Sequence, residues 1–350
     1  MEIIHHKQEM QRDGCGARSM LLKRMLRSTL LAILIFVLCL CASQLRTPGS
    51  PRTTKTKSID DVSDRFFFTC SNVGDIQILA LTGRGVTKHV YRAQHDGEQI
   101  AVKMVIPDSL DVQECVRQCS NEHQIGLCRA FPNMKLMKEI LLLIQLNHRN
   151  LLQLLGYCVR SEEITSLSTK DHGVLGVYEF AKTATSSIVQ TWSLTDRLKS
   201  AWELLDLLSY LEHSPLGSLL LADLKRSHLL LRPPHSIVIT DLDDVSAIEP
   251  ECSNSQCIHP TSCVDGRCVG SNARHNMVRL YDLIISQLLS CSTGIERDKS
   301  LSLQQKNKAT VVGVTMETSR LCRQIHDTEI SAAGAASDLE NIMTKLNDES

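Results

Sequence analysis

Two aspartates, eighteen residues apart, place the strongest constraint on this 350-residue chain. Asp223 lies in the segment LLLADLKRSHLLL, and Asp241 follows residues 237–240, which read as a short buried strand. Phosphoryl transfer uses two carboxylates with separate tasks: one orients the attacking hydroxyl, and the other holds the metal ion that neutralises the phosphates. The pair therefore suggests phosphoryl-transfer chemistry, and that chemistry requires further residues upstream.

A glycine-rich stretch lies upstream, where such chemistry needs a phosphate-binding loop. Gly83 and Gly85 begin a G-x-G-x-x-x-x-V pattern that ends at Val90. Glycines at these positions allow the backbone to approach phosphate oxygens that a Cβ atom would block. The third glycine expected in this pattern is Lys88 here, so the loop alone is a weak match.

A hairpin and a lysine follow the glycines. Two alternating runs flank Asp96-Gly97, a dipeptide that predicts a tight β-hairpin turn. The second run contains Ala101-Val102-Lys103, the A-x-K pattern of a strand whose lysine contacts the α- and β-phosphates. This position, twenty residues after Gly83, favours a functional lysine over a solvated surface side chain.

The lysine needs a carboxylate partner. Residues 132–147 have helical spacing and carry Glu139, which we expect to hold Lys103 in place. Glu139 comes thirty-six positions after Lys103, more than this arrangement requires. The excess predicts an inserted segment, and it contains three cysteines: Cys115, Cys119 and Cys128.

The chain resembles eukaryotic-type protein kinases and, among them, the secretory-pathway kinases of the vertebrate lonesome kinase type. The resemblance covers roughly residues 75–285 and is carried by GRGVTKHVY, AVKMV, ECVRQC, LLQLLGYC, LEHSPLGS, TDLDD and a cysteine segment ending in CVGSNARHN. It implies a two-lobed α+β kinase fold with a β-rich N-lobe at about 70–180 and a helical C-lobe at about 181–350. It also implies a disulfide-rich segment in place of the activation loop.

The resemblance implies a function and a set of roles. Kinases of this type use ATP with Mg²⁺ or Mn²⁺ and phosphorylate secreted or luminal proteins on tyrosine. Gly83, Gly85 and Val90 would cover the nucleotide, Lys103 would contact its phosphates, and Glu139 would position that lysine.

The resemblance assigns the catalytic roles to residues in the second half of the chain. Asp223 would accept the proton of the substrate hydroxyl or aim its oxygen, and Lys225 would neutralise charge on the transferring phosphoryl group. Asp241 would bind the metal ion.

Three departures from the kinase pattern leave alternatives open. Leu221-Ala222 replaces the usual His-Arg before Asp223, His228 replaces a metal-binding asparagine, and Asp243 replaces a glycine. Because Mg²⁺ prefers oxygen ligands, either one ion suffices or Asp243 or Asp244 supplies the missing oxygen, with His228 as a further candidate ligand. A secreted pseudokinase that binds a partner is one alternative. A luminal kinase for a sugar hydroxyl, like the O-mannose kinase of this architecture, is another.

The N-terminus predicts entry into the secretory pathway. Basic residues precede an apolar run at 28–42, which at about fifteen residues is short for a span of about 20. A cleaved signal peptide and a signal anchor therefore both stay open for residues 1–43. Residues 44–65 read as a polar stem, and 66–350 as the kinase-like domain, in the Golgi lumen or secreted. A net charge of −1 gives no argument for nucleic acid binding, and we expect no membrane contact beyond the N-terminal segment.

The cysteines support this compartment. Of fourteen, eleven follow the apolar run, and in an oxidising lumen they should pair. An odd number predicts at least one free or intermolecular thiol, and Cys158 reads as a buried thiol. The densest group has the spacing C-x4-C-x5-C-x4-C and comprises Cys252, Cys257, Cys263 and Cys268. A zinc site competes with disulfides here, but C-x2-C spacing and a histidine pair are lacking, which favours disulfides.

Overall fold

The structure is a computed structural model that describes most of the chain after the polar stem. The described residues are 66–105, 110–160, 168–170, 172–252, 257, 261–291 and 308–348. They fall into two compact units. The first unit contains the described residues up to Met137 and those in Leu155–Val177, and the second contains Lys138–Leu154 and the described residues from Tyr178 onwards.

The first unit is built on a five-stranded sheet. Its strands, in the spatial order β1-β2-β3-β5-β4, are β1 (Gln77–Arg84), β2 (Lys88–His95), β3 (Glu98–Val105), β4 (Leu154–Val159) and β5 (Val174–Glu179). Strands β1, β2 and β3 pair antiparallel. From Ile100 onwards every residue of β3 is buried, because this central strand is covered on both faces.

The predicted hairpin is confirmed. Strands β2 and β3 pair from His95 and Glu98 outwards, with Asp96 and Gly97 as the two turn residues. Both have positive φ angles, 48° and 85°, as a two-residue turn between twisted antiparallel strands requires. Glycine adopts this conformation without the steric cost that a Cβ atom brings.

Two helices follow β3 and contain the cysteine-bearing insertion. They are α1 (Leu110–Arg117) and α2 (Glu122–Gln145), and the Cys115–Cys128 disulfide joins them. Helix α2 therefore begins ten residues before the predicted start at Pro132, which lies inside it. Proline is common in the first turn of a helix, which is why the sequence predicts a start at Pro132. Here the helix begins earlier, in the turns that the disulfide links to α1.

The second unit is mainly helical. Its long helices are α4 (Leu194–Glu212), α7 (Lys308–His326) and α8 (Ala332–Asp348), which follow the short helix α3 (Ser186–Val189). Helix α8 packs between α4 and α7. The predicted N-cap of α4 is confirmed: the Ser193 hydroxyl accepts a hydrogen bond from the Asp196 N–H at 3.1 Å. The apolar face of α4 is buried as predicted, with Leu198, Ala201 and Leu205 inaccessible to solvent.

Short strands and a broken helix complete the second unit. The strands are β6 (Lys182–Thr183), β7 (Leu220–Leu221), β8 (Leu229–Arg232), β9 (Ser236–Ile239), β10 (Val245–Ser246), β11 (Ser262–Val264) and β12 (Arg267–Val269). Strands β6, β8 and β9 form one sheet, β7 pairs with β10, and β11 pairs with β12. Helix α5 (Ser271–Leu280) continues through a π-helical turn (Tyr281–Ile285) into α6 (Ser286–Leu288).

The described residues include no helix that is both long and apolar enough to cross a bilayer. The apolar run at 28–42 and the predicted stem at 44–65 lie outside the described residues, and both predictions remain as stated.

Candidate active site

The glycine-rich stretch forms the end of β1 and a tight turn in the first unit. The Gly85 N–H donates to the Lys88 carbonyl at 2.9 Å. A Cβ atom on Gly85 would lie 2.7 Å from that oxygen, and one on Gly83 would lie 3.3 Å from the Val90 Cβ. The turn itself therefore requires glycine at position 85, independently of any ligand.

Two lysines lie on one face of the first unit's sheet. Lys103 is opposite Val90 in the β2–β3 register, and Lys88 is opposite Val105. Residues opposite each other share a face, as do residues two apart along a strand, so both lysines project from the same side. Both are buried, with 4% and 5% of their surface exposed. An ammonium group is costly to bury without anionic partners, so this face suits negatively charged groups.

In the second unit, Asp241 directly follows Thr240 at the end of β9. Its φ of 68° and ψ of 60° place it in the left-handed region, which is uncommon for residues other than glycine. The His228 Nε2 atom lies 2.9 Å from Asp241 Oδ2. Their segments are also joined through the backbone, because the Thr240 N–H donates to the His228 carbonyl at 3.0 Å.

Asp223 lies beside this pair. One ligand atom from each of Asp223, His228 and Asp241 lies within 4.8 Å of the other two, so three of the predicted site residues converge. Lys225 Nζ is 2.7 Å from Asp223 Oδ2, and both side chains are about half exposed. A small open concavity is lined by these three convergent residues and Asp244.

The remaining predicted carboxylates are buried around Tyr178. Glu139 on α2 is inaccessible to solvent, and Asp243, on the turn after Asp241, is 5% exposed. Burial raises the pKa of the Tyr178 hydroxyl well above its usual value, and the carboxylates of Glu139, Asp241 and Asp243 raise it further. Negative charge is therefore concentrated at this end of the second unit. Lys103 belongs to the first unit, so its predicted pairing with Glu139 stays a prediction.

Sequence reasoning missed the residues that hold the Asp223 segment. The Asn276 side chain accepts a hydrogen bond from the Leu221 N–H at 2.8 Å and donates to the Leu219 carbonyl at 2.7 Å. Arg279 donates to the Leu224 carbonyl at 3.0 Å. With Asn272, which donates to the Ser218 carbonyl, they occupy positions i, i+4 and i+7 of one helical stretch. That spacing places the three side chains on one face of a helix. A helix face made of two amides and a guanidinium, instead of apolar side chains, was the sequence pattern that could have predicted these contacts.

A second set of contacts holds the strand before Asp241. The Asn150 side chain donates to the Ile237 carbonyl at 2.8 Å, and its backbone carbonyl accepts from the Ile239 N–H at 2.8 Å. Asn150 is fully buried, so its polar groups need these partners.

The cysteine segment after Asp241 is crosslinked by two disulfides, Cys252–Cys263 and Cys257–Cys268. The predicted disulfides in this segment are confirmed. Glu249, at the start of the segment, accepts hydrogen bonds from the Gly270 and Asn272 N–H groups at the beginning of α5. The crosslinked segment is therefore attached to the helix that holds Asp223 in place.

One prediction about the other cysteines is wrong. Cys158 is buried on β4 as expected, but it is bonded to Cys70 instead of being a thiol. Cys119 is disulfide-bonded, and Cys291 pairs with Cys322, so none of the described cysteines is a free thiol.

A divalent cation fits the chemistry of the convergent residues. Two carboxylates and one imidazole supply oxygen and nitrogen donors that divalent ions accept, and Asp243 and Asp244 place further carboxylates on the adjacent turn. The residues that would hold it are Asp241 and His228, with Asp223 nearby.

A β-sheet unit with a buried A-x-K lysine, and a helical unit in which Asp223 and Asp241 lie close together, are the features expected of a protein-kinase-like domain. A family profile described as "Protein-kinase domain of FAM69" matches residues 130–306, just over half of the chain. The chain belongs to this family of FAM69-type protein-kinase domains.

Two curated relatives are similar over part of their length. The human protein named extracellular tyrosine-protein kinase PKDCC is 32% identical over 236 residues, which cover 63% of this chain and 45% of the relative. A Xenopus laevis protein named protein O-mannose kinase is 24% identical over 194 residues, covering 53% of this chain and 47% of the relative. The chain thus spans less than half the length of either relative.

Proposed function

We propose that this chain is an ATP-dependent protein kinase of the secretory pathway that phosphorylates extracellular or luminal proteins on tyrosine. One observation carries the proposal beyond family membership. Asp223, His228 and Asp241, which come from two separate segments, bring their ligand atoms within 4.8 Å of one another at an open concavity. Kinase chemistry requires a hydroxyl-orienting carboxylate close to a metal-binding one, and this arrangement provides both.

Each residue has a role that its surroundings support. Asp223 is half exposed and accepts a hydrogen bond from Lys225, so its carboxylate can orient an incoming hydroxyl and accept its proton. Lys225 then lies beside the oxygen that attacks, where its charge stabilises the transferring phosphoryl group. Asp241 holds the divalent cation, which supplies neutralisation of the phosphate charge. Lys103, with Gly83 and Gly85 before it, contacts the phosphates of ATP.

The acceptor is the least determined part of the proposal. Tyrosine is supported by the relative named a tyrosine-protein kinase, at 32% identity. The relative named protein O-mannose kinase supports a sugar hydroxyl as the second candidate acceptor. Either acceptor needs the same catalytic carboxylate, because both are hydroxyl groups.

The disulfides support a compartment in the secretory pathway. Five are formed between described cysteines, and disulfides persist in oxidising environments such as the secretory lumen. A relative named extracellular agrees with this assignment. We propose the Golgi lumen or the extracellular space as the site of action, and secreted proteins as substrates.

The test is phosphoryl transfer by the whole chain produced in an oxidising secretory host. Labelled ATP would be supplied with Mg²⁺ or Mn²⁺ to tyrosine peptides, serine and threonine peptides, and O-mannosyl glycopeptides. Transfer to tyrosine that disappears in Lys103→Ala and Asp241→Ala, and persists in the exposed-helix control Asp348→Asn, is the expected result.

Other outcomes would select the alternatives. Transfer only to glycopeptides would identify the sugar-hydroxyl kinase. A folded chain that transfers to none of the acceptors, and binds no nucleotide with either ion, would support the secreted pseudokinase instead.

A further inference from the structure

The histidine at the metal end of the candidate site pairs with Asp241 and also belongs to a group of three convergent donor side chains. His228 stands where the kinase pattern has a metal-binding asparagine, and only 7% of its side chain is exposed. Its backbone N–H donates to the Lys225 carbonyl at 2.9 Å, and its carbonyl accepts from Thr240. The backbone of His228 is therefore held on both sides of the imidazole-bearing residue.

The distance between His228 and Asp241 matches that of two ligands on one ion. Two donors at about 2.1 Å from an octahedral ion and at right angles are about 3.0 Å apart. The observed separation of Nε2 and Oδ2 is 2.9 Å. Asp223 provides a third donor atom within 4.8 Å of both. The three side chains together could hold one ion.

The donor set decides which ion is favoured. Mg²⁺ takes oxygen ligands in a strict octahedron, and an imidazole in place of an amide oxygen disfavours it. Transition-metal ions accept imidazole nitrogen, and Mn²⁺ also retains the preference for carboxylate and phosphate oxygens. We infer that this site selects Mn²⁺ over Mg²⁺ through direct coordination by His228 Nε2. This inference rests on the proposed function, because it concerns the cation of that same site.

A second histidine–aspartate pair in the same unit shows what an ordinary contact looks like. His235 Nδ1 lies 3.2 Å from Asp196 Oδ1, and both side chains are more than a third exposed. Among the described residues, no third acid, histidine or cysteine joins that pair within ligand distance. His235 therefore serves as the matched control for His228.

The test is Mn²⁺ and Mg²⁺ binding to the whole chain, without any measurement of phosphoryl transfer. The paramagnetic resonance signal of free Mn²⁺ gives its affinity, and competition with Mg²⁺ gives the selectivity. Electron spin echo modulation then reports whether a nitrogen-14 nucleus is bonded to the ion. We expect nitrogen coupling in the parent chain. We also expect His228→Asn to lose it, with Mn²⁺ affinity at least about tenfold weaker and Mg²⁺ affinity unchanged or improved.

His235→Asn should leave both affinities and the nitrogen signal as in the parent. Mn²⁺ binding without nitrogen coupling in the parent, or equal selectivity in parent and His228→Asn, would overturn the inference. The absence of nitrogen coupling in the parent would overturn the inference even if a variant fails to fold. If the chain transfers phosphate but its bound Mn²⁺ shows no nitrogen coupling, the proposed kinase activity holds and the Mn²⁺ inference is wrong. If bound Mn²⁺ shows nitrogen coupling but the chain transfers no phosphate, the proposed kinase activity is wrong and the metal site holds.

Discussion

Lys103 lies in the first unit and Asp241 in the second, and different kinds of contact hold the two residues in place. Lys103 lies on β3, where the backbone ladder to β2 fixes the direction of each side chain. Asp241 lies on an irregular turn with a left-handed backbone, and Asp223 lies between two short strands. Their segments are held by side chains from elsewhere, chiefly Asn276 and Asn150.

The difference shows where the candidate site is sensitive. In a sheet, many equivalent backbone hydrogen bonds together fix the position of one side chain, so the loss of a single bond changes that position little. In the second unit, single buried amides bind backbone groups that have no ladder partner, and losing one leaves those groups unpaired. We therefore expect supporting residues to matter more in the second unit than in the first.

The largest expected effect comes from the disulfide that closes the longest chain segment of the first unit. Cys70 and Cys158 are 88 residues apart, whereas Cys252 and Cys263 are 11 apart. By chain entropy, removing the first with paired serines should cost about 4–5 kcal/mol of unfolding free energy, and removing the second about 3 kcal/mol. Urea unfolding of both double variants measures the two losses of unfolding free energy. A larger loss for the Cys252/Cys263 variant than for the Cys70/Cys158 variant would contradict the prediction.

Asp223→Asn tests the second unit directly. The carboxylate is half exposed and the amide has the same shape, so folding should be unchanged. The transfer rate should fall at least about a hundredfold, because the hydroxyl loses its proton acceptor. Steady-state kinetics with Asp348→Asn as control measures this. A rate within a few-fold of the parent would exclude Asp223 from catalysis.

Asn276→Ala tests the supporting contacts. It leaves the Leu221 N–H and the Leu219 carbonyl without their partner, which should lower the unfolding free energy by about 2 kcal/mol or more. Transfer should also slow, because the Asp223 segment loses its restraint. Thr82→Val, which removes one exposed hydrogen bond to the Val90 carbonyl between β1 and β2 of the first unit, is the control. If the two variants lose equal stability, the comparison between the units fails.

The smallest expected effect is an acid sensitivity of the loop before β4. Burial lowers the pKa of His148, although its contact with Asp206 raises it in part. The unfolded chain therefore takes up a proton more readily than the folded one, and stability should fall as pH falls below about 6.5. Unfolding free energies at pH 7.5 and 5.5 should show a smaller decrease in His148→Asn than in the parent. An equal decrease of unfolding free energy in both proteins would show that His148 is not the source of the acid sensitivity.

The same contrast explains how much could be predicted from the sequence. The Asp96-Gly97 hairpin, Lys103 on its strand, β9 before Asp241 and the N-cap at Ser193 follow from local patterns, and the structure has them. The contacts of Asn276 and Arg279 join residues about 55 positions apart, which no local pattern specifies. Disulfide partners such as Cys70 and Cys158 were beyond reach for the same reason, because pairing depends on the folded chain.

Equilibrium binding of a non-hydrolysable ATP analogue tests the central claim most directly, since it requires no knowledge of the acceptor. The whole chain would be titrated with the analogue in the presence of Mn²⁺, beside Lys103→Ala and Asp241→Asn. The account predicts saturable binding by the parent and at least about tenfold weaker binding, or about 1.4 kcal/mol, by each variant. A folded parent that does not bind the analogue, or variants that bind it as tightly as the parent, would contradict the account.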